Sequence, residues 1–237
     1  YDLMRNARIR FTTGLSTDFS PVWSPNGSRI VFWSGRKETF GIYVRSAEGG
    51  GAEETLCSLK EQAGPTDWSR DGRHIVFQQL SGSQNDIWII PLSGDKKPYP
   101  YLQTQFNEGQ ARFSPDGRWM AYMSNETGQP EVFVRPFPGP GTGVKVSTAG
   151  GHTPVWNPDG KELFYISFDN RTMTAEIRSK GSGVEIGVVR PLFTRTPVMS
   201  DYDVFPDGKR FLINRVIEPK ETDPLTLVVN WDAGLKK

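Results

Sequence analysis

Short apolar runs alternate with turn residues along almost the whole chain. One run begins three residues after a recurring glycine, as in Ile30–Phe32 and Ile75–Phe77, and another begins fifteen residues after the glycine, as in Ile42–Val44. Runs this short, bounded by Gly, Pro, Asn and Asp, predict β-strands. No long stretch has an apolar period of 3.6 residues, so we expect little helix.

One short turn segment recurs with these runs, and its glycines are 43 to 48 residues apart. The five copies are Trp23–Gly27, Trp68–Gly72, Phe113–Gly117, Trp156–Gly160 and Phe205–Gly208. Pro presets φ, Asp or Asn bonds its own backbone and Gly accepts a positive φ, so each copy predicts a hairpin turn. We therefore interpret the turn aspartates as structural rather than catalytic. The tryptophans before the turns are interpreted as core between sheets rather than as a sugar-stacking platform.

Each repeat predicts about four short strands. The fourth strands are expected at Glu53–Leu56, Tyr99–Leu102, Val144–Ser147 and Pro191–Thr194. A lone sheet of this kind would leave both of its apolar faces in water, whereas a ring of stacked sheets buries them. The sequence therefore predicts an all-β propeller of four-stranded blades, forming a single domain over residues 1–237.

Closure of the ring is predicted from the two ends of the chain. The fifth repeat has strands near 202–205, 210–216 and 225–231 but no fourth strand, and residues 7–13 precede the first repeat like a spare outer strand. Pairing of residues 7–13 with 225–231 would close five blades and remove the open sheet edges. The alternative is a fragment of a six-bladed or larger ring, in which residues 1–4 are a remnant of a further blade.

The pattern apolar-Pro-x-Trp-Ser-Pro-Asp-Gly-x-x-Ile-x-Phe resembles the Pro-Asp repeat of TolB-like β-propellers over essentially the whole chain. Residues 106–113, 131–139, 159–165 and 202–212 are also similar to the propellers that follow the kinase domain and membrane helix of bacterial serine/threonine kinases. This resemblance implies an extracytoplasmic or periplasmic sensor of a protein, peptide or small ligand. The sequence departs from that group in having no kinase domain, no membrane helix and only five repeats. The same repeat class occurs in prolyl-oligopeptidase-like enzymes and in lyases.

Composition and charge argue against nucleic acid as a partner and against a membrane span. The 28 basic and 27 acidic residues are well mixed and give a net charge of +1, so no basic stripe indicates nucleic-acid binding. No stretch approaches the roughly 18 apolar residues that would span a membrane. Cys57 is the single cysteine and is interpreted as a packed thiol. We expect a monomer, and the lack of an apolar leader after Tyr1 predicts no signal peptide.

Catalytic motifs are missing from the sequence. There is no Gly-x-Ser-x-Gly elbow and no His-Glu-x-x-His pair, and the chain has only two histidines, His74 and His152. The sequence therefore favours a non-catalytic binding or sensor module.

The candidate site is the mouth of the central channel, reached by the loops that precede each repeat. Its ligand-binding residues are predicted to be Asp18, Gln62, Glu108, His152, Asp201 and Tyr202. No cofactor is expected, although Asp18, Glu108 and His152 could hold a divalent cation. A polar, water-filled funnel with no ligand is the other interpretation of these residues. The alternative function is a metal-dependent lyase or hydrolase acting on a saccharide or ester.

Overall fold

The structure is a computed structural model that describes residues 10–12, 14, 16–36, 39–48, 51–181, 183–194 and 199–215. These residues form eighteen β-strands and no helix. The first sheet contains β1 (Thr17–Trp23), β2 (Arg29–Arg36), β3 (Thr39–Ser46) and β4 (Glu54–Leu59). The second contains β5 (Ala63–Trp68), β6 (His74–Ser81), β7 (Gln84–Pro91) and β8 (Tyr99–Leu102). The third contains β9 (Glu108–Phe113), β10 (Trp119–Ser124), β11 (Glu131–Pro136) and β12 (Val144–Lys145).

The fourth sheet contains β13 (His152–Trp156), β14 (Glu162–Ile166), β15 (Arg171–Lys180) and β16 (Gly183–Thr194). The fifth contains, among the described residues, β17 (Met199–Val204) and β18 (Phe211–Arg215). Every strand pairs antiparallel with its neighbour in sequence, so each sheet is a simple meander. The first strands of consecutive sheets, β1, β5, β9, β13 and β17, lie next to one another in this order, and the last four border a common central space. This arrangement is the predicted β-propeller.

The turn between the first two strands of each sheet has the predicted chemistry. Its glycine has a φ between 68° and 74° in all five copies, a left-handed conformation that suits glycine. In the second and third copies the aspartate accepts a hydrogen bond from the serine two residues earlier, at 2.6 Å. It also accepts from the backbone N–H two residues later, at 3.0 and 3.1 Å. The prediction that these aspartates are structural is confirmed.

Four apolar clusters alternate with the sheets, because successive side chains of a strand point to opposite faces. In β10, Met120 and Tyr122 pack towards the second sheet, whereas Trp119 and Ala121 pack towards the fourth. In β14, Leu163 faces the third sheet and Phe164 faces the fifth. The second, third and fourth sheets therefore each contribute to two of these cores, which explains why their middle strands are apolar throughout.

In the second, third and fourth repeats the aromatic residue before the turn packs against the preceding sheet. Trp68, Phe113 and Trp156 are only 5%, 6% and 7% exposed. Trp156 also donates its indole N–H to the Arg112 carbonyl of the third sheet, at 3.1 Å. These residues confirm the prediction of core aromatics. Trp23 differs: it is 59% exposed, because no described sheet precedes the first one.

The N-terminal segment lies against the first sheet. The Phe11 ring contacts Phe32 edge-on at 5.9 Å between centroids, and the Phe11 carbonyl accepts a hydrogen bond from Arg45 at 2.8 Å. Phe32 alternates with Val31 and Trp33, which face the second sheet, so Phe11 covers the opposite face. Residues 7–9, 13 and 225–231, on which the predicted closure depends, lie outside the described residues. Closure at five blades and the single domain over 1–237 stay predictions.

Candidate binding site in the central channel

A β-bulge in each innermost strand determines where its side chains point. The register of β1 with β2 shifts between Phe19 and Val22, and the innermost strands of the other four sheets shift at similar places. At this point Ser20, Gln110 and Thr153 have left-handed φ values of 54°, 56° and 52°. A bulge adds one residue to a strand and re-aims the side chains around it.

In the third and fourth sheets, side chains of the neighbouring sheets bond the backbone groups that the bulges release. Gln110 N–H donates to Gln78 Oε1 at 3.0 Å, and Thr153 N–H donates to Gln110 Oε1 at 2.7 Å. The Tyr202 hydroxyl then donates to the Thr153 carbonyl at 3.0 Å. A chain of polar contacts thus connects the second, third, fourth and fifth sheets beside the channel.

Five of the six predicted site residues lie within the innermost strands, and the sixth, Gln62, directly precedes β5. This corrects the prediction that they belong to loops: Asp18, Glu108 and His152 lie within β1, β9 and β13, and Asp201 and Tyr202 lie within β17. Of these residues only Asp18 and Glu108 lie at equivalent positions, nine residues before the turn glycine. Glu108, His152 and Tyr202 lie nine, eight and six residues before their turn glycines. Since alternate residues of a strand face opposite sides, these three side chains do not share one orientation.

Asp18 and Glu108 have contrasting surroundings. Asp18 is half-buried and accepts a hydrogen bond from the Ser16 hydroxyl at 3.1 Å. Burial raises the pKa of Asp18, but hydrogen bonds from Ser34, Thr12 and Ser16 together outweigh this effect. The pKa of Asp18 therefore lies below its ordinary value.

Glu108 is only 1% exposed and accepts a hydrogen bond from the Thr104 hydroxyl through Oε1. Its Oε2 has no hydrogen-bond partner among the described residues. Burial raises the pKa of Glu108, and the nearby Asp86 and Glu126 raise the pKa further.

The other predicted residues are spread over separate environments. Gln62 is exposed and lines a cavity of about 250 Å³ between the first and second sheets. His152 places Nδ1 2.9 Å from the Thr153 hydroxyl. Tyr202 is buried in the core between the fourth and fifth sheets. The side chain of Asp201 lies outside the described part of the chain.

The structure brings no metal-binding group together in the part of the chain that it describes. No three side chains of His, Cys, Asp or Glu lie close enough there to hold an ion. Asp18, Glu108 and His152 each contact different neighbours. The metal and the enzymatic alternative therefore stay predictions.

A charged cluster lies at the end of the channel nearest the turn glycines, which we call the turn end. It consists of Asp67 from β5, Arg112 from β9 and Asp203 from β17, which line a cavity of about 190 Å³. Arg112 Nη1 lies 3.9 Å from Asp67 Oδ1, and Phe113 N–H donates to Asp67 Oδ2 at 2.8 Å. Burial raises the pKa of Asp67; Arg112 and the backbone N–H groups oppose this, and Asp203 adds to it.

Sequence reasoning missed this cluster, although it left a signal in the repeat. Asp67, Arg112 and Asp203 lie five residues before the turn glycine, where the first and fourth copies have Val22 and Val155. Three charged residues at a position that is otherwise apolar would have indicated a polar channel.

Arg70 lies at the rim of the turn end. It takes the place that Pro occupies in the other four turns, so the turn itself does not require it. The residue is exposed and lines the channel cavity together with two neighbouring cavities of about 260 and 550 Å³. It makes no hydrogen bond or ion pair with any other described residue.

The fold and the charged channel define a β-propeller with a candidate binding site on its axis. The family model of the TolB beta propeller domain matches residues 19–188, and the chain belongs to that family. The solved structure of a putative TolB from Agrobacterium tumefaciens is similar, with a TM-score of 0.66 and 20% identity over 87% of this chain and 78% of that one.

Two curated relatives extend this comparison. The Tol-Pal system protein TolB of Mannheimia succiniciproducens is 26% identical over 56% of this chain and 26% of its own length. An uncharacterized peptidase of Bacillus subtilis is 24% identical over 54% of this chain and 25% of its own length. The chain thus spans about a quarter of each. The expectation of a propeller from a receptor kinase finds no support in these relatives and stays a prediction.

Proposed function

We propose that this propeller is a binding module that holds a peptide segment of a partner protein at the turn end of the channel. The observation that carries the proposal is the charged cluster of Asp67, Arg112 and Asp203, enclosed by the innermost strands of four sheets. Concave sites with a few convergent polar groups on a rigid scaffold are typical of ligand binding.

The charges favour a peptide over a simple ion. Asp67 is paired with Arg112 and a backbone N–H. The Asp203 carboxylate is exposed and accepts a hydrogen bond from the N–H of the next residue, Val204. Arg70 provides a cation at the same end. A ligand that pairs with both Asp203 and Arg70 must carry a cationic and an anionic group, as a peptide does.

The propeller similarity to TolB, a protein of the Tol-Pal system, is consistent with a protein partner. By the same resemblance we expect an extracytoplasmic or periplasmic location. No helix in the described part of the chain is long and apolar enough to span a membrane. The chain is expected to act as a monomer towards its partner.

Peptide display tests the proposal. A random peptide library is selected on the wild-type protein, and the dissociation constants of enriched peptides are measured by calorimetry. We expect Asp203→Asn to weaken them at least about tenfold, the loss of one charge pairing in a partly screened site. Asp95→Asn is the matched control, because Asp95 is exposed in the loop between β7 and β8 and does not line the channel cavity. Enriched peptides that bind both variants equally well would refute the channel site.

A further inference from the structure

A second cavity opens beside Arg70, between the second and third sheets. It has a volume of about 260 Å³, and its apolar wall consists of Phe113, Phe137, Pro115 and Pro138 with the imidazole of His74. We call it the aromatic pocket. Its volume lies below the range of roughly 300–1,000 Å³ for drug-sized ligands, so it suits a single side chain better than a whole small molecule.

The wall of the aromatic pocket is held in place by ring contacts. Phe137 meets Phe113 edge-on at 4.9 Å and His74 edge-on at 5.3 Å between centroids. Tyr101 supports the back of Phe137 at 5.6 Å, and its hydroxyl donates to the Pro136 carbonyl at 2.6 Å. A preformed wall binds at a lower entropic cost than one that must be ordered by the ligand.

Of the charged groups at the rim of the aromatic pocket, Arg70 is the least engaged in hydrogen bonds and ion pairs within the protein. Asp71 and Asp116 each accept hydrogen bonds from a serine hydroxyl and a backbone N–H of their own turn. Burial lowers the pKa of His74, so the imidazole is neutral at neutral pH. Arg70 has no hydrogen-bond or ion-pair partner among the described residues, and guanidinium groups pair well with carboxylates.

We infer that the aromatic pocket receives an apolar side chain of the partner's peptide segment, whose adjacent carboxylate pairs with Arg70. This inference rests on the proposed function and specifies the sequence that the module selects. The carboxylate is that of an acidic residue next to the apolar one or the C-terminal carboxylate of an apolar last residue. Both sources present a carboxylate close to an apolar side chain.

Arg70→Pro is a suitable test variant because it recreates the turn of the other four repeats. The turn hydrogen bond from Gly72 N–H to the Ser69 carbonyl, 2.8 Å, is also present in the Pro-containing turns. Arg73→Gln is the matched control, because Arg73 belongs to the same turn but does not line the aromatic pocket. Circular dichroism and the unfolding midpoint establish that both variants are folded.

The probes are sets of matched peptides derived from a peptide that binds the wild type. One set contains Leu-Glu, Leu-Gln and Ser-Glu at the same internal position, and the other ends in Leu with a free or an amidated terminus. We expect the wild type to bind Leu-Glu or the free terminus at least about tenfold more tightly than its uncharged match, a difference typical of a charge-assisted contact. Arg70→Pro should abolish that preference, and Arg73→Gln should keep it.

The two sets decide which carboxylate is selected, and the Ser-Glu peptide tests the apolar contact. Equal binding of charged and uncharged peptides by the wild type, or an unchanged preference in Arg70→Pro, overturns the inference. If Asp203→Asn weakens binding while Arg70→Pro does not, the channel site stands and the aromatic pocket is rejected. If free leucine binds as tightly as the peptides, the occupant is a small molecule rather than a peptide segment.

Discussion

Gln110 of the third sheet accepts the backbone N–H of Thr153 of the fourth sheet at 2.7 Å, and both residues occupy the bulge of their innermost strand. The bulge frees an N–H that its own sheet cannot bond, and the glutamine of the preceding sheet satisfies it. The same contact fixes the spacing of the sheets at the channel.

Gln110→Ala should therefore destabilise the protein by about 1–3 kcal/mol, the usual cost of leaving a buried donor unsatisfied. Alanine has a Cβ as glutamine does, so the left-handed φ of residue 110 costs the same in both proteins. Urea unfolding gives the free energy. Gln110→Glu keeps an acceptor and serves as the control; a loss of equal size in both variants would contradict a role for this acceptor.

The tryptophans at the same repeat position should differ in their contribution to stability. Trp156→Ala should cost about 3–5 kcal/mol, because it opens a cavity between the third and fourth sheets. Trp23→Ala should cost no more than about 1 kcal/mol, because the side chain is mostly in solvent. Both are measured by chemical denaturation. A large loss at Trp23 would contradict the exposure of this residue in solution.

Glu108 and Glu131 are both 1% exposed, but their contributions to stability should depend on pH in opposite ways. Burial raises the pKa of Glu131, yet hydrogen bonds from Ser147, Gln129 and Gly150 N–H outweigh it and lower the pKa below 4.5. Its stabilising contribution is therefore present above pH 4.5 and is lost as the pH falls through the lowered pKa.

Glu108 has a raised pKa, so the folded state takes up a proton before the unfolded state does. Its contribution becomes more favourable as the pH falls through this raised pKa towards 4.5. Unfolding free energies are measured from about pH 4 to 7. Glu108→Gln should remove the gain on acidification, and Glu131→Gln should lower stability most at neutral pH. The same pH profile for both variants would disprove the assignment.

Arg112 should stabilise the protein mainly by compensating Asp67. Arg112→Gln is expected to cost on the order of 1–2 kcal/mol at neutral pH, less than for a fully buried pair because the Arg112 side chain is 32% exposed. The pKa of Asp67 is raised and would rise further without Arg112. The loss of stability should therefore disappear once the pH falls below the pKa of Asp67 in the wild type, where both proteins have a neutral Asp67.

The double variant Arg112→Gln/Asp67→Asn provides the control. The asparagine carbonyl still accepts the Phe113 N–H but carries no charge, so stability should recover at neutral pH. A double-mutant cycle measures the coupling directly. Additive losses would show that the two side chains do not interact.

The strand pattern and the turns of this protein could be predicted from local chemistry. Pro, Asp and Gly specify the turn, as at Asp116, and the apolar runs specify strands with two buried faces. The bulges could not be predicted, because they depend on how neighbouring innermost strands fit together. They change which residues face the channel: Tyr202 was expected at the channel mouth and lies in a core.

The charged cluster in the channel forms because its three residues lie at the same position of their repeats, five residues before the turn glycine. Asp67 and Asp203 are far apart in sequence, and they affect each other only because β5 and β17 border the same central space. Aligning the repeats by their glycines places both residues in one column. Whether that column faces the channel or a core is determined by the bulge two residues earlier.

Trp68, Phe113 and Trp156 are each buried by the preceding sheet, which gives the stack of sheets a direction. Its leading surface presents the Trp23 indole, and its trailing surface presents Leu212, which is 63% exposed on β18. Val31 and Ile42 of the first sheet form part of the core into which Trp68 packs. A surface that covers Trp23 must therefore offer a similar apolar sheet face. Two leading surfaces cannot receive each other. Further sheets, from this chain or another, can therefore join the packing only head to tail, as in a heterologous interface.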